Sequence, residues 1–309
     1  MTHHYGYVAA ITAALLFGIS STLNKLALRD VAPLVVAGSI YLTAGVVLMF
    51  IRYTRFGRKL LSRLEFKVKP QDSFSMRDVV VLVLVILFGS FLAPLLFMSG
   101  LDLTTAVNAS LLLNTETLFT VLIALIVFKE RASKMSMAGI LLILLGAVVV
   151  STENLGSIEL SRGIVGNIMI ILAGLCWALD NNLSRFLSLK RDLLLVTSLK
   201  ALIGGSALLS LSALLGVSLN IPAKSLPYIL TVGSLSIGFS LVLYLFALRE
   251  IGAMRTGAIF STSTLIGAFV AFLVLGESFT PTKAFFGVLM LFGVYLLSAE
   301  SPTEGSYTR

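Results

Sequence analysis

Apolar runs, each close to the length of a bilayer crossing, follow one another along nearly the whole chain. A hydrocarbon core about 30 Å thick takes roughly 20 helical residues, so runs of this length separated by short charged or Gly/Pro segments count as spans. Ten are counted, near 5–28, 34–52, 78–100, 103–128, 135–152, 163–186, 194–216, 226–248, 254–275 and 282–299. Composition agrees: with 57% hydrophobic and only 12% charged residues, the polar shell of a soluble globule cannot be built. The expected fold is an all-α polytopic membrane protein with ten transmembrane helices. The first span is expected to be retained rather than cleaved, because no basic segment precedes it and nine more spans follow.

The net charge of +8 is read as a topology signal and not as a nucleic-acid footprint, because its placement is one-sided. With the N-terminus in the cytoplasm, 17 of the 23 Lys and Arg residues fall on inner loops and the tail. Lys25, Arg29, Arg162, Lys224 and Lys283 fall outside, and Lys200 lies within a span. Both termini are therefore expected inside, in the cell membrane. The one large basic block, in the loop 52–77, suits an inner-leaflet surface carrying anionic lipid.

The two halves of the chain correspond. "GISSTLNK" (18–25) lies on "ALDNNLSR" (178–185), pairing Leu23 with Leu183 and Lys25 with Arg185, and the same offset pairs Gly6 with Gly166. "FKERAS" (128–133) lies on "LGESFT" (275–280), pairing Glu130 with Glu277 and, at the same offset, Gly146 with Gly293. The halves are bounded as 1–153 and 161–300, with a short tail at 301–309, and each holds five spans. An odd number inverts the second half relative to the first, the arrangement that alternating access exploits.

These features resemble the drug/metabolite transporter superfamily, specifically its EamA-domain members. The segments "FKERASKMSMAGILLILLGAVVV" (128–150) and "LGESFTPTKAFFGVLMLFGVYLL" (275–297), each closing a half, carry the resemblance, and "CWALDNNLSR" (176–185) followed by "LKALIGG" (199–205) adds to it. The resemblance implies export or exchange of a small organic metabolite. One departure stands out: where the family often carries a proline near the middle of the fourth and ninth spans, this chain has Thr117 and Thr264. Without proline these helices are expected to continue, loosened at most by side-chain bonds to the backbone from Asn114, Thr115, Thr117 and the "STST" at 261–264.

Glu116 is the residue that most needs explaining. It lies roughly 20 Å from the outer end of its span, near the bilayer midplane, where a carboxylate costs about 2.5–3.5 kcal/mol to insert. Asn108, Thr115 and Thr120 share its helical arc, a stripe expected to line a path. In the second half, Asp180 in the sixth span and Lys200 in the seventh come out at similar depth, so an ion pair between them is geometrically available. Trp177, Asn181 and Ser184 fall near the face of Asp180. Two readings of Asp180–Lys200 stay open, a fixed helix-to-helix pair or a contact with substrate or gate. Two stay open for Glu116 as well, a proton-titrating group or a carboxylate for the ammonium of an amino acid or amine.

Other features are read as structural. Glu130 and Glu277 sit at loop ends as caps or ion-pair members, Pro94 kinks the third span, and Tyr41, Tyr244 and Phe260 pack or line a cavity. His3 and His4 lack ligand spacing and Cys176 is the single cysteine, so no metal and no internal disulfide are expected. No nucleotide fingerprint or other cofactor motif appears, which argues against ATP-driven transport, and a membrane enzyme would need a nucleophile or metal cluster. The expected partners are a small-molecule substrate, protons and membrane lipids, with no nucleic acid, in a monomer or homodimer. The alternative is a uniporter, channel or lipid-like substrate flippase without proton coupling.

Overall fold

The computed structural model describes residues 2–55, 75–127, 133–152, 160–188 and 192–300. Most of the basic loop 52–77, Glu130 and the tail 301–309 lie outside the described residues. The described residues form helices and short connections, without a strand. Among the described residues, nine apolar helices are long enough to cross a membrane: α1 (His4–Ala27), α2 (Pro33–Tyr53), α3 (Met76–Leu103), α4 (Ala106–Val127), α5 (Lys134–Ser151), α6 (Arg162–Ser184), α7 (Leu194–Leu214), α8 (Leu226–Ile251) and α9 (Arg255–Leu275). A further apolar helix, α10 (Pro281–Glu300), follows.

Local sequence sets the helix starts. Ser75 and Asp78 form a reciprocal capping box at the start of α3, each side chain taking the other's backbone N–H at 3.2 Å. Thr105 Oγ1 caps α4 by accepting from Asn108 N at 3.1 Å, and Asp192 Oδ1 caps α7 by accepting from Leu194 N at 3.0 Å. Gly252 ends α8 at φ 81° and Gly276 ends α9 at φ 67°, both in the region where glycine carries no Cβ penalty.

Among the described residues, four helix irregularities fall in two pairs, and a fifth, at Ile19 in α1, has no counterpart in α6. α4 is divided by one turn residue, Leu113, and α9 by Thr262, although both keep right-handed helical angles. The fourth and ninth spans thus continue, each loosened at a single turn. Thr115 Oγ1 donates to Leu112 O (2.7 Å), Thr262 Oγ1 to Ile259 O (2.6 Å) and Thr264 Oγ1 to Ser261 O (3.0 Å), so hydroxyls compete with the backbone ladder at both breaks. In α3 and α8 the irregularity is a π-helix, Ile86–Leu92 and Val232–Phe239. Pro94 follows directly on the first: lacking an N–H and crowding the carbonyl four residues back, it favours the widened turn upstream of it.

The packing repeats at an offset of five helices. The most extensive contacts join α2 to α7 and α5 to α10, each helix meeting its own counterpart. The contact of α1 with α8 corresponds to that of α6 with α3, and α4 with α6 to α9 with α1. Glycines set the closest crossings, as small residues do where lipid supplies no hydrophobic drive between helices. A Cβ on Gly100 would stand 2.6 Å from Gly166 O and one on Gly166 would stand 2.6 Å from Gly100 O, while Gly139 and Gly293 face each other in the same way at 2.8 Å. Gly6 packs on Glu250 and Ile251 as Gly166 packs on Leu103 and Thr104. The main buried cluster, with Ile40, Leu101, Leu111, Leu112, Ile143 and Ile170, runs through the centre.

Because both atoms at the α3–α6 crossing are backbone, neither side yields to a new methyl. Gly166→Val is expected to destabilise the fold by at least about 3 kcal/mol, seen as a lower midpoint of thermal unfolding in detergent; an unchanged midpoint would show that the crossing does not hold the helices.

Candidate functional site

A polar cluster lies where α6 crosses α4, α7, α2 and the π-segment of α3. Trp177, Asp180, Asn181 and Ser184 sit at i, i+3, i+4 and i+7 on α6 and so share one face. Asp180, only 4% exposed, receives Lys200 Nζ at 2.5 Å on Oδ2 and Ser184 Oγ at 2.8 Å on Oδ1. Both carboxylate oxygens are thereby engaged, which a buried charge requires.

One helical turn away, Trp177 Nε1 donates to Gly89 O at 3.1 Å and lies 3.2 Å from Tyr41 Oη, whose hydroxyl also reaches Gly89 O at 3.4 Å. Gly89 belongs to the π-helix, and a Cβ there would overlap the Asp180 carboxylate. The site thus needs glycine at 89, where any Cβ would keep Asp180 and α6 from this crossing. Phe97 packs on Trp177 with ring centroids 5.5 Å apart.

Glu116 enters from α4, just beyond the turn at Leu113. Gly174 lets the two helices close there, since a Cβ on it would stand 3.2 Å from Glu116 N and 2.9 Å from Thr115 Oγ1. Glu116 Oε1 accepts from the Asn181 side-chain amide at 2.8 Å. Lys200 and Asp180 lie within electrostatic range of that carboxylate, as does Tyr244 on α8. Tyr244 heads an aromatic row, with Phe260 at 4.9 Å and Phe17 at 5.2 Å beyond it, measured between ring centroids. Glu116 is half-buried and Asn181 exposed, whereas Asp180 is buried.

Six of the residues singled out from sequence, Glu116, Trp177, Asp180, Asn181, Ser184 and Lys200, meet in this cluster. The other three do not reach it with their side chains. Asn108 is 7% exposed, its Oδ1 without a hydrogen-bond partner among the described residues. Thr115 is 2% exposed and bonded back to Leu112. Thr120 Oγ1 donates to Glu116 O at 2.8 Å and so serves the backbone of the Glu116 turn. The turn at Leu113 and the close approach of α6 put the Asn108 and Thr115 end of the stripe into the core. Gly89 and Gly174 were missed in the sequence. Their signal was present, since a glycine inside a span marks close approach, but the chain's many glycines dilute it. No group of three or more His, Cys, Asp or Glu able to hold a metal occurs among the described residues.

The profile of the EamA-like transporter family matches the chain twice, over residues 4–152 and 164–299. The chain belongs to the EamA-like transporter family. Within the drug/metabolite transporter superfamily, EamA proteins are multi-pass membrane transporters, and the apolar helices described above suit that class. An uncharacterized transporter of Methanothermobacter thermautotrophicus is 40% identical over 298 residues, covering 96% of this chain and 87% of the relative. The uncharacterized transporter YyaM of Bacillus subtilis is 26% identical, covering 72% of this chain and 74% of YyaM. A solved crystal structure shares the fold at TM-score 0.63 and 18% identity, covering 94% of this chain and 96% of that one. The EamA family assignment agrees with a site built from polar side chains on apolar helices.

The buried pair gives a measurable expectation. Lys200→Met strands the Asp180 carboxylate and is expected to cost about 3–5 kcal/mol, whereas Asp180→Asn combined with Lys200→Met recovers a large part of that loss. Thermal unfolding of the single and double variants measures the coupling, and strict additivity would show that the two side chains do not stabilise one another.

Proposed function

We propose that this EamA protein is a secondary active transporter that exports or exchanges a small ammonium-bearing metabolite, an amino acid or related compound, by alternating access. Its ten helices act as two five-helix repeats, 1–153 and 161–300, inverted relative to each other, with both termini in the cytoplasm and the protein in the cell membrane. The observation that carries the substrate chemistry is the state of Glu116. Two carboxylates, Glu116 and Asp180, share the cluster with one basic side chain, Lys200, and that ammonium is engaged by Asp180. Among the described residues the Glu116 carboxylate holds one neutral amide. A carboxylate in such a place is matched by a cation that comes and goes, either a substrate ammonium or a proton. The aromatic row of Tyr244, Phe260 and Phe17 beside it offers an apolar wall and ring faces for the rest of an amine.

Saturable counterflow tests this reading. Purified protein in liposomes, loaded in turn with amino acids, amines, nucleosides or sugars, is expected to exchange ammonium-bearing solutes and to leave neutral sugars unmoved. Glu116→Gln is expected to weaken that exchange roughly tenfold or more, the size of one lost charge-assisted hydrogen bond, and to flatten its pH dependence. Counterflow of sugars or nucleosides alone would overturn the amine assignment, and flux without saturation would favour a channel.

A further inference from the structure

The connection between α3 and α4, residues 101–107, is gripped at both ends by charged side chains that the cluster above does not use. Lys25, from the end of α1, directs its ammonium to three main-chain carbonyls, Leu101 O at 2.6 Å, Asp102 O at 3.1 Å and Thr104 O at 2.7 Å. Glu277, in the α9–α10 connection, accepts from Ala106 N at 3.0 Å on Oε1 and from Val107 N at 2.8 Å on Oε2. Cation meets the carbonyl end of one helix and anion meets the N–H end of the next, the polarity that helix termini favour. Between them Thr104 Oγ1 donates to Asn167 Oδ1 at 2.7 Å.

Lys25 comes from the first half of the chain, like the turn itself, and Glu277 and Asn167 from the second. Among the described residues both charges hydrogen-bond to this turn's backbone, with Asp102 and Glu277 also within electrostatic range of Lys25, so these hydrogen bonds persist only while the turn is docked. The sequence repeats the chemistry: the correspondence between halves sets Arg185 against Lys25 and Glu130 against Glu277, and the equivalent turn joins α8 to α9 around Gly252.

Resting on the alternating-access reading above, we propose that Lys25 and Glu277 form a two-ended clamp on the α3–α4 turn, which holds the face opposite the N-terminus shut and must release for that face to open.

Distances across the clamped face test this without any cargo. Spin labels at Asp102→Cys and Thr282→Cys, in a Cys176→Ala background reconstituted in nanodiscs, report the separation of the turn from the start of α10 by pulsed electron resonance. Losing one charge-assisted contact shifts a two-state equilibrium on the order of tenfold, so Glu277→Gln and Lys25→Met are each expected to move the distribution several ångströms toward longer distance. Asp30→Asn, which removes an exposed ion pair with Lys224 at the same face, is expected to leave it in place. A distribution in either clamp variant that superposes on that of the parent, in protein that stays monodisperse and helical, overturns the proposal, and so does an equal shift in Asp30→Asn. Where Glu277→Gln fails to fold, Lys25→Met decides. Because no transport is read, a negative result here leaves the counterflow assay to judge the transporter reading separately.

Discussion

Helices in hydrocarbon gain nothing from setting leucine against leucine, since the lipid offers the same contact. What remains is close approach, and here backbone carbonyls of one helix rest on glycines of the next at Gly100–Gly166 and Gly139–Gly293. Those crossings fix the distances between helix axes, and so determine where every polar group on them ends up. Asp180 meets Lys200 because α6 is drawn onto the π-segment of α3 at Gly89, and Glu116 meets Asn181 because Gly174 admits α4. The site is thus a by-product of a small set of missing side chains.

The cluster also shows how charge is managed in a low-dielectric interior. The buried carboxylate of Asp180 has a full set of partners, two side chains on its two oxygens. Glu116, half-buried, has one amide among the described residues. Desolvation penalises an incompletely matched charge more than a matched one, so the two acids, although close, are not equivalent. One belongs to the framework, and the other is left with capacity for something the chain itself does not contain.

The spans, the paired halves and the ion pair were legible in the sequence because each rests on a spacing: about 20 apolar residues for a crossing, and the i, i+3, i+4, i+7 arc for Trp177, Asp180, Asn181 and Ser184. The tenth span is a helix of 20 residues, Pro281–Glu300, matching the run read near 282–299. The stripe on α4 was drawn with a uniform 100° per residue, which the interruption at Leu113 does not respect, and Asn108 and Thr115 turned into the core. The π-helices left no periodic trace, because α3 and α8 are apolar on nearly all sides and a phase change between identical faces is invisible. The anchors at Lys25 and Glu277 act on backbone atoms, which carry no sequence signal at the receiving end.

A π-helix is an α-helix holding one residue too many, and α3 and α8 carry theirs at matching places. Within each, the surplus residue rotates everything downstream by about 100° about the helix axis. Removing a single residue between Ile86 and Leu92 would let the ladder close into ordinary α-helix and would turn Phe97 and Gly100 away from α6. Register in these two helices is therefore a discrete setting, and one residue of chain length separates a helix that fits its neighbour from one that presents it the wrong side.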